Sequence, residues 1–148
     1  MAVLIDTNIL LRSVQPSQPM HTVAVRALEV LMEREEPLAI AVQNVAEFWN
    51  AATRPSVNNG LGFTIEEAHA ELARIEGFFQ ILTESAASYA TWKTLLLDCR
   101  VSGVQVHDAR LAAVMQNNGI AQIVTFNVAD FTRFPGIEAV HPGKISEG

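Results

Sequence analysis

The chain begins with an apolar run from Ala2 to Ile5 and turns polar at Asp6-Thr7-Asn8. A short continuous apolar run closed by polar residues is the pattern of a strand buried on both faces. From His21 to Glu36 the apolar residues Ala24, Leu28, Leu31 and Met32 recur at helical spacing, and Pro37 ends the run. Leu38 to Val42 reads as a second strand, followed by a helix over Gln43 to Thr53 that is apolar almost all round. Arg54 to Phe63 carries Pro55, Asn58, Asn59, Gly60 and Gly62, which is turn chemistry in a segment too short for a domain linker. Thr64 with Glu67 has the form of a capping box, predicting a helix to about Phe79. Phe79 to Thr83 fits a third strand and Ala87 to Arg100 a further helix. Val106 to Asn118 is helical with Gly119 as its stop, and Ile120 to Phe126 is an apolar strand. Pro135, Gly136, Pro142 and Gly143 mark an irregular end, so residues 1–140 are expected to form the domain and 141–148 a flexible tail.

Strands alternating with helices predict an α/β fold of three layers, with a central parallel sheet covered on both faces. In such open sheets ligands bind outside the carboxyl ends of the strands, where strand order reverses. The 148 residues suit one domain, and 49% hydrophobic against 18% charged residues argues for a packed core with an apolar surface left for a homodimer. The start lacks a basic region, a long apolar stretch and a cleavage site, and charged or polar residues interrupt every apolar run. A soluble cytoplasmic protein with no membrane association is expected. The single cysteine, Cys99, cannot form an internal disulfide and makes a thiolate zinc site implausible. Net charge is −6, and the ten basic residues are scattered, which counts against a simple nucleic-acid binder. A nuclease can nevertheless be acidic if bound divalent cations supply the local positive charge.

Four acids stand apart. Asp6 follows the first strand, Glu47 the second, Asp108 opens a helix, and Asp130 comes just after the last strand, so all four can reach one edge of the sheet. Asp6 is the only charged residue from Met1 to Leu11, Glu47 from Pro37 to Thr53, and Asp130 from Leu111 to Thr132. Asp108 heads the stripe Asp108, Ala112, Met115 and should face the sheet. Taken singly, each acid has an ordinary structural explanation: Asp6 and Asp108 as helix caps, Asp130 as a turn cap, Glu47 as an ion-pair partner of Arg54 or Arg12. Their shared placement at strand ends favours a joint role. Carboxylates gathered in a poorly solvated site raise each other's pKa or bind cations, and hard oxygen ligands suit Mg²⁺ or Mn²⁺.

Leu4-Ile5-Asp6-Thr7-Asn8, Glu47 after the second strand, His107-Asp108-Ala109-Arg110-Leu111-Ala112 and Thr125-Phe126-Asn127-Val128-Ala129-Asp130-Phe131 together resemble the PIN domain, particularly toxin ribonucleases of the VapC type. The resemblance spans nearly the whole chain. It implies a PIN-like three-layer sandwich, Mg²⁺- or Mn²⁺-dependent endonucleolytic cleavage of RNA, frequent homodimerisation and inhibition by a cognate antitoxin. Carried over by position, Asp6, Glu47 and Asp108 match the family's metal-binding acids. Thr125 matches a polar residue often at the site, and Asn8 a position beside the first acid. Asn127 stands where some members have an acid, while Asp130, three residues on, matches the acid of many others.

The mechanism so implied has Asp6 and Asp108 holding a cation, with Glu47 helping through water, so that an activated water attacks a phosphodiester in line. Arg110, with Arg12, Arg54 and Arg133, is a candidate for phosphate contact, although solvated surface arginine is the commoner case. Aspartyl-phosphate chemistry fits poorly: one known pattern needs a second Asp where Asn8 stands, and another needs a Lys after the last strand, whereas the only lysines are Lys93 and Lys144. The non-enzymatic alternative is a PIN-like binding module with weakened catalysis, acting through a protein or RNA partner, with Asn127 as its mark.

Overall fold

The structure is a computed structural model and describes residues 1–147. Its sheet has five strands: β1 (Val3–Ile5), β2 (Leu38–Ala41), β3 (Gln80–Leu82), β4 (Gln122–Val124) and β5 (Glu138–Val140). All pairings are parallel and the order is β3-β2-β1-β4-β5. The chain therefore builds outward from β1 to β3, then returns to place β4 on the other side of β1. That return puts the reversal of strand order between β1 and β4, where Leu4 pairs with Ile123 and Ile5 with Val124.

The period-two alternation of strand side chains divides the core into two layers. Val3 and Ile5, with Leu38 and Ile40, pack against α1 (Thr7–Ser13), α2 (His21–Glu33), α3 (Val42–Thr53), α4 (Ile65–Phe78) and α7 (Pro142–Ser146). Leu4, Ala39 and Ala41 pack on the other face against α5 (Ala86–Asp98) and α6 (Val106–Asn117). The predicted three-layer α/β fold with a central parallel sheet is the one found. Helix α2 ends three residues earlier than its spacing suggested. Glu35 takes φ 57°, the Glu35 N–H reaches the Met32 carbonyl and the Glu36 N–H reaches that of Leu31, a left-handed stop that Pro37 then fixes.

The expected irregular tail is corrected. Glu138–Val140 adds to the sheet beside β4, with Val140 opposite Val124. His141 then caps α7 by accepting the Gly143 N–H at 2.9 Å through Nδ1, and Pro142 occupies the first turn, where its missing N–H costs nothing. Ile145 is buried in the same core layer as α2. Proline and glycine here delimit elements of three and five residues, too short for periodicity to reveal. Of the predicted tail, residue 148 lies outside the described residues. Among the described residues, no helix is long and apolar enough to cross a membrane.

The turn between α3 and α4 folds tightly back on α3: the Leu61 N–H bonds the Ala51 carbonyl and the Phe63 N–H that of Ala52. A Cβ at Gly60 would overlap the Arg54 carbonyl oxygen, itself held by the Gly62 N–H. Backbone cannot yield as a side-chain tip can. Gly60→Ala is expected to cost about 1–3 kcal/mol by this overpacking. In a chain of this size that lowers Tm by roughly 3–9 °C. Thermal melts followed by circular dichroism check it, and an unchanged Tm would show the turn to be adaptable.

Candidate metal centre

Asp6 leaves the central strand directly at the strand-order reversal. Its Oδ1 accepts the Thr7 N–H at 2.8 Å, capping α1, while its Oδ2 accepts the Thr125 hydroxyl at 2.7 Å across from β4. The cap and the site thus use different oxygens of one carboxylate. Burial pushes the Asp6 carboxyl above its usual range; the Thr125 and Thr7 hydrogen bonds oppose this, and the charges of Glu47 and Asp130 add to it.

Glu47, in the second turn of α3, is exposed and accepts the Thr7 hydroxyl at 2.7 Å. Asp108, in the first turn of α6, is half-buried. Its carboxyl is pushed up to about 6, first by burial, then by repulsion from Asp130, Asp6 and Glu47, with His107 opposing. Asp130 lies on the exposed side of a short helical turn, Val128–Phe131, which the buried Phe131 anchors in the core. Among the described residues, no N–H or O–H donates to the carboxylate of Asp108 or Asp130.

Thr125 is wholly buried and acts as a hub. Its oxygen accepts the Asn127 N–H at 3.0 Å and Asn8 Nδ2 at 3.3 Å, so its proton is committed to Asp6. Asn8 also accepts the Phe126 N–H at 3.4 Å, bracing the start of α1 against the end of β4. Asn127 takes part through its backbone, and its side chain is exposed. Arg110 is not brought to the acids. Two residues on from Asp108 it lies about 200° round the helix, where it pairs with Glu84 and sits 5.8 Å over the Trp92 ring. Arg110 thus ties α6 to Glu84, just before α5, and to Trp92 within α5.

Three polar residues at this edge are uncharged and so do not stand out in the sequence. Thr7 joins Glu47 to Asn44, whose Nδ2 donates to the Thr7 oxygen at 3.0 Å. Gln43 Nε2 donates to the His107 carbonyl at 3.0 Å, holding the first turn of α6 to that of α3. A buried amide pair opening an apolar helix is the signal that would have found them.

The donor set is all oxygen, which suits a hard divalent cation and not zinc. The N-termini of α1, α3 and α6 open at this edge, and their dipoles partly offset the gathered negative charge. Among the described residues, no three acidic, His or Cys side chains already surround one point. What the positions do share is charge: three of the acids raise the pKa of the fourth.

The fold is a doubly wound parallel sheet between helical layers, with Asp6 and the Thr125 hub at its strand-order reversal. A family model for the PIN domain matches residues 3–137, and the chain belongs to that family. No curated protein sequence matches it significantly. Among solved structures, it is similar to a chain of VapBC2 from Rickettsia felis bound to a promoter DNA fragment, at 19% identity and TM-score 0.71, covering 95% of this chain and 98% of that one. A toxin–antitoxin complex from Klebsiella pneumoniae is similar at 23% identity and TM-score 0.64, covering 95% and 97%. VapC20 of Mycobacterium tuberculosis, described as a toxin that cleaves the sarcin–ricin loop, is similar at 18% identity and TM-score 0.58, covering 82% and 86%.

Proposed function

We propose that this protein is a Mg²⁺- or Mn²⁺-dependent endoribonuclease acting as the toxin of a type II toxin–antitoxin pair. The observation that carries the reading is the gathering of acids at the sheet edge, where burial first, and then the charges of Asp130, Asp6 and Glu47, hold the Asp108 carboxyl up at about 6. Such repulsion is relieved by protons or by a cation. Asp6, Glu47, Asp108 and Asp130 are the residues that would hold the cation. When bound, it supplies positive charge to a phosphodiester and acidifies a water for in-line attack. Thr125 and Thr7 keep Asp6 and Glu47 pinned as acceptors, so little side-chain freedom is lost when the site is filled.

Similarity to chains from toxin–antitoxin complexes supports an antitoxin partner, and a groove of about 440 Å³ between α1, α2 and α4 is apolar enough to receive a protein segment. Its walls include Val14, Leu28, Ile75 and Phe79. A homodimer is part of the same reading, motivated by the apolar stretch Val42, Val45 and Trp49 open on α3.

Purified protein should cleave RNA with Mn²⁺ or Mg²⁺ and not with EDTA. Cleavage unaffected by EDTA would overturn the reading. Asp130→Asn removes a full charge and should lower cleavage at least about tenfold. Asn127→Ala leaves the backbone bond to Thr125 intact and should change it by about twofold or less. If Asn127→Ala is dead while Asp130→Asn is normal, the two assignments are exchanged.

A further inference from the structure

We infer that Asn44 is a positioning residue for Glu47, acting through the hydroxyl of Thr7. The inference rests on Glu47 being a member of the proposed cation site. Asn44 is wholly buried in the first turn of α3, three residues before Glu47. Its Oδ1 accepts the Ala41 N–H at 2.8 Å, and its Nδ2 donates to Thr7 Oγ1 at 3.0 Å. Thr7 Oγ1 lies 2.7 Å from Glu47 Oε1.

These contacts admit one direction only. The Ala41 N–H requires an acceptor, which fixes the oxygen of the Asn44 amide on that side and its NH₂ towards Thr7. An amide NH₂ can only donate, so the Thr7 oxygen must accept from it. The single Thr7 proton is then free to point at Glu47 and nowhere else among these partners. An exposed glutamate on a helix surface would otherwise sample many rotamers. Here it is held by a polarised chain that starts at the end of β2 and crosses from α3 to the first turn of α1 and back. The arrangement repeats at Asp6, where Thr125 accepts from Asn8 and donates to the carboxylate. Two threonines thus orient two acids, each set by an amide behind it.

Three variants separate positioning from capping. Thr7→Val keeps the shape and removes the hydroxyl; Thr7→Ser restores it. Asn44→Asp keeps the acceptor that Ala41 needs and replaces the donor by a second acceptor, which draws the Thr7 proton away from Glu47. If Asn44 only caps α3, Asn44→Asp will keep the wild-type Mn²⁺ affinity, since its oxygen still accepts the Ala41 N–H and an acid is welcome in a first helical turn. If Asn44 positions Glu47, Thr7→Val and Asn44→Asp will both bind Mn²⁺ about tenfold more weakly by calorimetry. Thr7→Ser will recover the affinity. Metal-free crystals of Thr7→Val should show Glu47 displaced or spread over several rotamers. That readout decides the alignment even if the wild type neither binds Mn²⁺ nor cleaves RNA, an outcome that would sink the proposed function instead. Wild-type Mn²⁺ affinity in Asn44→Asp, or Glu47 unmoved in the crystal, overturns the inference. Should Thr7→Val fail to fold, Asn44→Asp carries the test by the same two measurements.

Discussion

Asp6→Asn is expected to reduce RNA cleavage by about a thousandfold or more, on the scale of removing a preorganised electrostatic group from an active site. The substitution changes one atom and leaves the α1 cap in place, because an amide oxygen still accepts the Thr7 N–H. What disappears is a negative charge at the strand-order reversal and the acceptor for Thr125. The Thr125 oxygen already accepts from Asn8 and Asn127, so its proton would face the new NH₂ group donor to donor. That clash offsets the relief of a buried charge, and the metal-free melting temperature should not rise. Mn²⁺ should raise the melting temperature of the wild type by linkage and leave that of Asp6→Asn almost unmoved. Wild-type cleavage, or an undiminished Mn²⁺ shift, would place the cation elsewhere.

Asp108→Asn should also abolish cleavage yet stabilise the metal-free fold at neutral pH. The folded-state pKa of Asp108 is about 6 against an ordinary 3.8, so between those values the native protein holds a proton that the unfolded chain has lost. Stability contributed by this group therefore falls as pH rises from about 4 to about 6, and stays lowered above. Discounted for its partial exposure, the cost is about 1–2 kcal/mol. No hydrogen bond is lost in exchange, since among the described residues no donor faces this carboxylate. The difference in melting temperature between Asp108→Asn and the wild type should open across that window and close below pH 4. A saturating cation competes with the proton, so Mn²⁺ should reverse the slope of the wild type, which then gains stability with pH. A variant-minus-wild-type difference that ignores pH would contradict the raised Asp108 carboxyl on which the proposed function rests.

Much of this architecture was legible because the central strands write their burial plainly. Val3 to Ile5 and Leu38 to Ala41 are apolar throughout, and the acids that follow are conspicuous for lacking charged neighbours. The edge of the sheet was harder. Glu138–Val140 carries one charged and two apolar residues, and its place beside β4 is decided by pairing and by Ile145 docking behind it, not by any period in three residues. Helix α1 was ambiguous for a related reason: Asp6 reads equally well as cap or ligand, and it serves as cap while facing the other acids. The hydroxyl and amide chains could not be read at all, since Thr7 and Asn44 lie thirty-seven positions apart and meet only through the pairing of β1 with β2.

The insertion of β4 between β1 and β5 also governs when the acids can come together. Asp6 is made 119 residues ahead of its partner Thr125, and the acid Asp130 comes later still. Parallel pairing of such distant segments is slow, because the loop entropy must be lost before the contacts repay it. A nascent chain therefore carries the early half of the site without any means of completing it. If the protein is the ribonuclease toxin proposed above, that delay leaves an interval in which an inhibitor can bind before the first bond is cut.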